Sequence, residues 1–177
     1  MNAIVVYSSK TGFAERYARW IADELSIEAH PADRVDIEDL KGYDTIIYGG
    51  GLYVVGINGI KMIKDILNKL QGKNIVVFAT GASPPRKEVV NEIRDKNFSE
   101  QEQEMMEFFY LRGGFDYDRL GVKDKLLMKM LKKKLEMKKE LTEDEKGMLE
   151  AYDRPVDFTK RENIDELIEH VKKISHV

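Results

Sequence analysis

The sequence predicts an α/β fold built on a doubly wound parallel sheet. Segments with strand character alternate with segments of helical periodicity through the first half of the chain. The strongest strand candidates are almost continuously apolar, which is typical of strands that helices cover on both faces. Small, glycine-containing loops follow three of them. Because the carboxyl ends of parallel strands meet at one edge of such a sheet, we expect these loops to share a crevice.

Four strands and two helices are expected in the first half of the chain. The strands lie at Ile4–Tyr7, Ile27–His30, Asp44–Tyr48 and Asn74–Thr80. Apolar or small residues recur at three- and four-residue steps over Phe13–Leu25 and Ile60–Leu70, which predicts a helix in each segment. Ile37–Tyr43 is expected to be a short connection. The second strand is expected to end at Pro31 and the third at Gly49-Gly50-Gly51, since proline and glycine commonly terminate strands.

The second half is expected to complete the sheet and to add a helical insertion around its fifth strand. A helix over Arg86–Lys96 and an acidic stretch over Ser99–Glu107 precede the strand Phe108–Leu111. The insertion is centred on Lys123–Glu140. A final amphipathic helix over Ile164–Ile174 would close the sheet.

The composition predicts one domain over residues 1–177 and excludes several kinds of chemistry. This length suffices for a sizeable core. A net charge of −3 argues against a nucleic-acid binder, which needs a dominant positive field. The lack of cysteine excludes thiolate metal sites and iron–sulfur clusters, so redox chemistry would require an organic cofactor. No segment has the length of a membrane span and no signal peptide is visible, so a cytoplasmic location is expected.

A candidate anion site follows the first strand. The loop Ser8–Gly12 combines three hydroxyl side chains with a glycine and leads directly into a helix. The free N–H groups of a first helical turn and the helix dipole both favour a negative ligand. Neither the nucleoside triphosphatase loop nor the three-glycine dinucleotide fingerprint is present, so the pattern suits a single phosphate monoester. The alternative is an ordinary strand-to-helix turn capped by serine or threonine.

Two further loops are expected at the same edge. They are Gly49–Tyr53 after the third strand and Thr80–Ser83 after the fourth. Glycine lets a backbone approach a ligand closely, and Tyr53 offers a flat aromatic face. The alternative for Tyr53 is a buried structural tyrosine.

These three loops resemble those of the flavodoxin family. The resemblance is carried by Tyr7–Ala14, Tyr48–Tyr53 and Ala79–Ala82 and extends over nearly the whole chain. It implies a five-stranded parallel sheet of strand order 2-1-3-4-5 and a bound flavin mononucleotide (FMN). It also implies electron transfer to a redox partner protein or a quinone.

The resemblance assigns each loop to a part of FMN. The first loop, expected to bind the phosphate, contributes Ser8, Ser9, Lys10, Thr11, Gly12, Phe13 and Ala14. The second, expected beside the isoalloxazine ring, contributes Gly49, Gly50, Gly51, Leu52 and Tyr53. The third, on the other side of the ring, contributes Thr80, Gly81, Ala82 and Ser83. Two features depart from the family: Ala14 stands where threonine is common, and no aromatic residue lies between Thr80 and Arg94. Stacking on the ring would therefore be one-sided.

The second half resembles a particular branch of the family. Arg112–Tyr117 leads into Lys123–Glu140, as in the branch that includes menaquinone-dependent protoporphyrinogen dehydrogenases. This implies a porphyrinogen substrate as an alternative function. The basic helix has eight lysines against three acidic residues. Such a helix would contact an acidic partner or the inner face of a membrane, or its lysines would simply form a solvated face.

A further alternative is a domain that has lost its cofactor and serves as an interaction module. No side chain is identified as a catalytic acid, base or nucleophile, so the flavin would supply the chemistry. The three histidines, His30, His170 and His176, are scattered. They are interpreted as surface residues without a metal role.

Overall fold

The computed structural model describes residues 1–53 and 56–175, so His176 lies outside the described residues. The strands are β1 (Ala3–Ser8), β2 (Glu28–Pro31), β3 (Thr45–Tyr53), β4 (Gly56–Ile57), β5 (Asn74–Gly81), β6 (Glu107–Arg112), β7 (Gly114–Phe115) and β8 (Val156–Asp157). The helices are α1 (Phe13–Leu25), α2 (Ile37–Leu40), α3 (Ile60–Lys69), α4 (Lys87–Asn97), α5 (Glu100–Glu104), α6 (Val122–Glu136), α7 (Glu143–Ala151) and α8 (Asp165–Ile174).

The central sheet has the predicted topology. Its five parallel strands lie in the order β2-β1-β3-β5-β6. Numbered along the chain as parallel strands only, this is the order 2-1-3-4-5, which confirms the prediction. Two additions were not predicted: β4 pairs antiparallel with the end of β3, and β7 and β8 form a separate antiparallel ribbon. None of the helices in the described ranges is long and apolar enough to cross a lipid bilayer.

The strand β1 shows why the central strands lack polar alternation. Ile4 and Val6 face a core layer that includes residues of α3 and α4, whereas Val5 and Tyr7 face a layer that includes residues of α1 and α8. Successive side chains of a strand point to opposite faces, so a strand covered on both sides must be apolar throughout. The sheet is therefore doubly wound, as predicted.

Most predicted elements are present with small shifts at their ends. Helix α1 has the predicted bounds, Phe13–Leu25. The predicted connection Ile37–Tyr43 contains the short helix α2, which Asp36 caps. The insertion helix α6 ends at Glu136, four residues before the predicted Glu140. Helix α7 follows it and was not predicted.

The prediction that the third strand ends at Gly49 is wrong. Strand β3 continues through the three glycines to Tyr53, with Gly49 paired to Tyr7 and Phe78 in the neighbouring strands. A Cβ atom on Gly49 would overlap the Phe78 ring. The glycine therefore makes room for a core aromatic residue rather than forming a turn.

We predict that Gly49→Ala lowers the free energy of unfolding by about 1–3 kcal/mol, because the added methyl group overpacks the core against Phe78. Gly147→Ala is the control, since a Cβ there meets no atom within 4 Å and the site lies inside α7. That change should be neutral or stabilising by up to about 1 kcal/mol. Urea unfolding measures both, and a Gly49→Ala protein as stable as the parent would contradict this packing account.

Candidate functional site

The three predicted segments converge at the carboxyl edge of the sheet, although Gly49–Tyr53 is the end of strand β3 and not the loop that was predicted. They enclose a cavity of about 40 Å³. Its lining includes nine of the predicted site residues: Ser9, Lys10, Thr11, Phe13, Ala14, Gly51, Leu52, Tyr53 and Thr80. The sequence reasoning missed three others, Asn58, Gly114 and Leu120. The remaining predicted residues, which do not line this cavity, are Ser8, Gly12, Gly49, Gly50, Gly81, Ala82 and Ser83.

The first loop presents the start of α1 to this cavity. Gly12 is the N-cap residue, with a φ of 92° that favours glycine, and no side chain of the described residues caps the helix there. The Ser9 hydroxyl accepts a hydrogen bond from the Gly12 N–H at 3.1 Å. The first N–H groups of a helix have no acceptor within the helix, so α1 offers donors to an anion at this point.

The second loop is held by its hairpin and by the insertion. The Asn58 N–H donates to the Gly51 carbonyl at 2.9 Å, and both residues line the cavity. The Tyr53 hydroxyl donates to the Asp124 carbonyl at 3.2 Å, and the Lys10 ammonium lies 4.9 Å from the centre of the Tyr53 ring. Burial, and then the charge of Asp124, raise the pKa of Tyr53.

The third loop is fixed by groups from β6 and the residue that follows it. The Gly81 carbonyl accepts from the Gly113 N–H, the Ala82 carbonyl from Arg112 Nε and the Ser83 carbonyl from the Tyr110 hydroxyl. The Arg112 guanidinium in turn stacks on the Phe158 ring, 3.8 Å from its centre. These contacts give the third loop a defined shape, although Thr80 is the one residue of its four that lines the cavity.

The insertion forms a cap over the first two loops, which we call the α6 cap (residues 116–136). Lys10 and Asp124 form an ion pair at 2.8 Å, and Arg119 donates to the Thr11 carbonyl at 3.2 Å. Neither contact was predicted, because the sequence contains no motif that links residues more than 100 positions apart.

Two tyrosines, Tyr53 and Tyr152, attach the α6 cap to the rest of the protein, and Tyr117 braces α6 from within the cap. The hydroxyls of Tyr53, Tyr117 and Tyr152 donate to backbone carbonyls of α6 at Asp124, Lys125 and Met128 respectively, at 3.2, 3.4 and 2.7 Å. Met128 is also buried on this side of the helix. One face of α6 is thus held against the site.

Comparison with known proteins identifies the family. The family model for the flavodoxin domain matches residues 4–142, which include all three loops and the α6 cap. The chain belongs to the flavodoxin-domain family.

Individual relatives of this flavodoxin domain are distant. An uncharacterized protein of Methanocaldococcus jannaschii is 32% identical over 100 residues, which are 54% of this chain and 65% of that protein. Flavodoxin 1 from Bacillus cereus is 22% identical, with a TM-score of 0.44 over 71% of this chain and 92% of its own. A short-chain flavodoxin associated with a bacterial microcompartment is 19% identical, with a TM-score of 0.47 over 67% and 90%.

The two described histidines, His30 and His170, are not among the residues that line the cavity of this flavodoxin domain. His30 pairs with Glu28 at 2.8 Å, and the His170 ring packs edge-on to Phe109. Among the described residues, no group of three or more His, Asp or Glu side chains is placed to hold a metal ion.

Tyr48 is a buried hydroxyl beneath the flavodoxin-domain site. Its hydroxyl has no partner at hydrogen-bond distance among the described residues and occupies the space that a Cβ on Gly59 would need. Burial raises the pKa of Tyr48 to about 12, and the nearby Ser8 side chain offsets part of the rise. Gly59 has a φ of 79°, in the left-handed region that favours glycine. Glycine at this position therefore suits both the backbone conformation and the space that the Tyr48 hydroxyl occupies.

We predict opposite effects for two tyrosine-to-phenylalanine changes at pH 7. Tyr48→Phe removes an unpartnered buried hydroxyl and should leave stability unchanged or raise it by up to about 1 kcal/mol. Tyr152→Phe removes the hydrogen bond to Met128 and should lower stability by about 1 kcal/mol. Thermal and urea unfolding measure both, and a Tyr48→Phe protein clearly less stable than the parent would show that this hydroxyl has a partner.

Alkaline pH gives a second test of Tyr48. An unfolded tyrosine ionises near pH 10, whereas folded Tyr48 keeps its proton until about pH 12. Folding is therefore disfavoured progressively as the pH rises from 10 to 12. Urea unfolding across this range should show a smaller loss of stability in Tyr48→Phe than in the parent. Parallel curves for the two proteins would contradict the raised pKa.

Proposed function

We propose that this flavodoxin domain binds FMN and transfers electrons through it. The observation that carries the proposal is the start of α1, where a left-handed Gly12 precedes helix N–H groups that no side chain caps. These groups open onto a crevice at the carboxyl ends of the parallel strands, which is where such sheets bind ligands.

The residues present fit the two chemical parts of FMN. The phosphate would be held by backbone N–H groups of the first loop and by the hydroxyls of Ser9 and Thr11, with Lys10 supplying positive charge. The ring would lie between the second loop, with Tyr53 as its aromatic contact, and Thr80 of the third. Bound flavin supplies electron transfer, which these side chains do not provide themselves.

We infer that the α6 cap moves to admit the ring. A cavity of about 40 Å³ is far smaller than the several hundred Å³ typical of cofactor sites. Two residues that line the cavity are held to the α6 cap, Lys10 by its ion pair with Asp124 and Tyr53 by its hydrogen bond to the Asp124 carbonyl. Without these contacts to Asp124, the Lys10 ammonium would be available to the phosphate and the Tyr53 ring to the flavin.

Electron transfer requires an acceptor, for which we propose a redox partner protein or a quinone. The flavin-loaded protein can be tested anaerobically with protoporphyrinogen and a menaquinone analogue. Turnover would support the dehydrogenase alternative. Lack of turnover together with rapid reduction by a flavin reductase or ferredoxin system would support a carrier. A purified protein that takes up no flavin would instead support the interaction-module alternative.

We predict that Gly12→Val abolishes FMN binding, because a side chain at φ 92° strains the loop and blocks close approach of the phosphate. Gly72→Val is the matched control, since Gly72 also has a positive φ of 81° but a Cβ there meets no atom within 4 Å. Both variants should lose stability, by about 1–2 kcal/mol from the backbone strain. Calorimetric titration of the apoproteins should show lost FMN binding for Gly12→Val alone. Equal FMN affinity in the two variants would overturn the assignment of this loop.

We also predict that Asp124→Asn tightens FMN binding about two- to fivefold, the range expected from removing a partly exposed ion pair that competes for Lys10. Asp153→Asn removes the same charge from a residue that pairs with Lys132 instead, and it should leave the affinity unchanged. Titration calorimetry in low salt measures both. Weaker FMN binding by Asp124→Asn would mean that Asp124 supports the cofactor rather than competing with its phosphate.

A further inference from the structure

The outward face of α6 carries large apolar side chains in water. Val122, Leu126 and Met130 are 87%, 63% and 64% exposed, and Met137, directly after the helix, is 76% exposed. Because a helix turns by about 100° per residue, these four side chains fall within one narrow stripe along its outer side. We call this the outer stripe.

This concentration is specific to α6. Among the described residues, the exposed large apolar side chains elsewhere are Met1 and Met105, whereas α6 and its C-cap contribute Leu127 as well as the outer stripe. A solvated helix face would place its lysines outward and its apolar residues inward. On α6, Met128 and Leu135 do face inward, but the centre of the outer face is apolar too.

Lysines border the outer stripe on both sides. Helical geometry places Lys123 and Lys134 along one border and Lys129, next to Glu136, along the other. Lys133 falls within the stripe, between Val122 and Leu126, and all four lysines are exposed.

The other lysines of α6 face the body of the protein. Lys132 lies over the Tyr152 ring at 5.2 Å and pairs with Asp153 at 3.5 Å. Lys125 lies 5.7 Å from the Tyr117 ring centre. The helix therefore has two sets of lysines, one beside the outer stripe and one packed on tyrosines.

We propose that the outer stripe lies on an anionic lipid surface. An apolar centre with basic borders is the pattern by which a helix rests in the plane of a membrane interface, with its apolar side chains below the headgroups and its lysines among them. The 15 residues of α6 make a convex rod about 22 Å long. A convex, flexible stripe of Met and Leu suits a deformable lipid surface better than a protein groove, and the bordering lysines match anionic headgroups.

Lipid contact through this face leaves the inner face of α6 packed against the body of the protein. Asp124 and the carbonyls that accept from the three tyrosines point away from the outer stripe. The proposal does not depend on FMN, so vesicle binding can be measured with or without the cofactor, and its failure is separable from failure of flavin binding.

The test is flotation of the full-length protein with vesicles in low and high salt. One vesicle is phosphatidylcholine alone, and the other contains about one third phosphatidylglycerol. We expect binding to the anionic vesicle in low salt and its loss in high salt, because surface charges are then screened.

Two double variants with equal charge change test the assigned face. Lys129→Gln with Lys133→Gln should weaken binding roughly thirtyfold, at about 1 kcal/mol for each lysine near the surface. The control pair, Lys125→Gln with Lys132→Gln, removes the lysines that pack on tyrosines and should weaken it far less. Leu126→Ser with Met130→Ser should weaken binding by tenfold or more. Circular dichroism confirms that each variant is folded.

A gain of signal provides a second measurement. The emission of Met130→Trp should shift to the blue and be quenched by brominated lipid in anionic vesicles. Met105→Trp, at an exposed methionine outside the outer stripe, should show neither change. The proposal is overturned if the parent ignores anionic vesicles in low salt, if both lysine pairs weaken binding equally, or if an acidic polypeptide such as polyglutamate binds the stripe while vesicles do not.

Discussion

The parallel register of β1, β3 and β5 is the constraint on which the rest of the structure depends. It sets Ser8 opposite Gly50 and Gly51 opposite Thr80, so three strands end at nearly the same height on the sheet. Loops that are about 40 and 30 residues apart in sequence therefore meet at one edge. The start of α1 follows β1 without an intervening element, and this places its N–H groups in the same crevice.

The insertion after β6 packs against the residues that form this crevice. Helix α6 is attached through backbone carbonyls that accept from tyrosine hydroxyls, and Asp124 reaches into the first loop to pair with Lys10. The same helix turns an apolar face outward. One helix thus holds Lys10 and Tyr53 at the site on one face and presents apolar side chains to the surroundings on the other.

Sequence reasoning predicted the fold and the cavity because both follow from local patterns. The continuous apolar strands and the periodicity of Phe13–Leu25 are local signals with few alternatives. It failed at Gly49, where the missing side chain makes room for the Phe78 ring. The sequence does not reveal that these two residues are neighbours. It also missed the ion pair of Lys10 with Asp124, because no periodic pattern encodes a contact between residues so far apart. Packing partners across the sheet, rather than local preferences, decide such features.

The most direct test of the central claim is the amide NMR spectrum of the protein during titration with FMN. We expect the N–H signals of residues 9–14 to shift downfield and to saturate at one equivalent, since those groups would donate to the phosphate. Signals of Tyr53, Thr80 and Asp124 should shift in the same titration, and riboflavin should leave residues 9–14 largely unmoved. Unchanged signals at residues 9–14 on saturation with FMN, or equal shifts with riboflavin, would contradict the claim that α1 binds the phosphate.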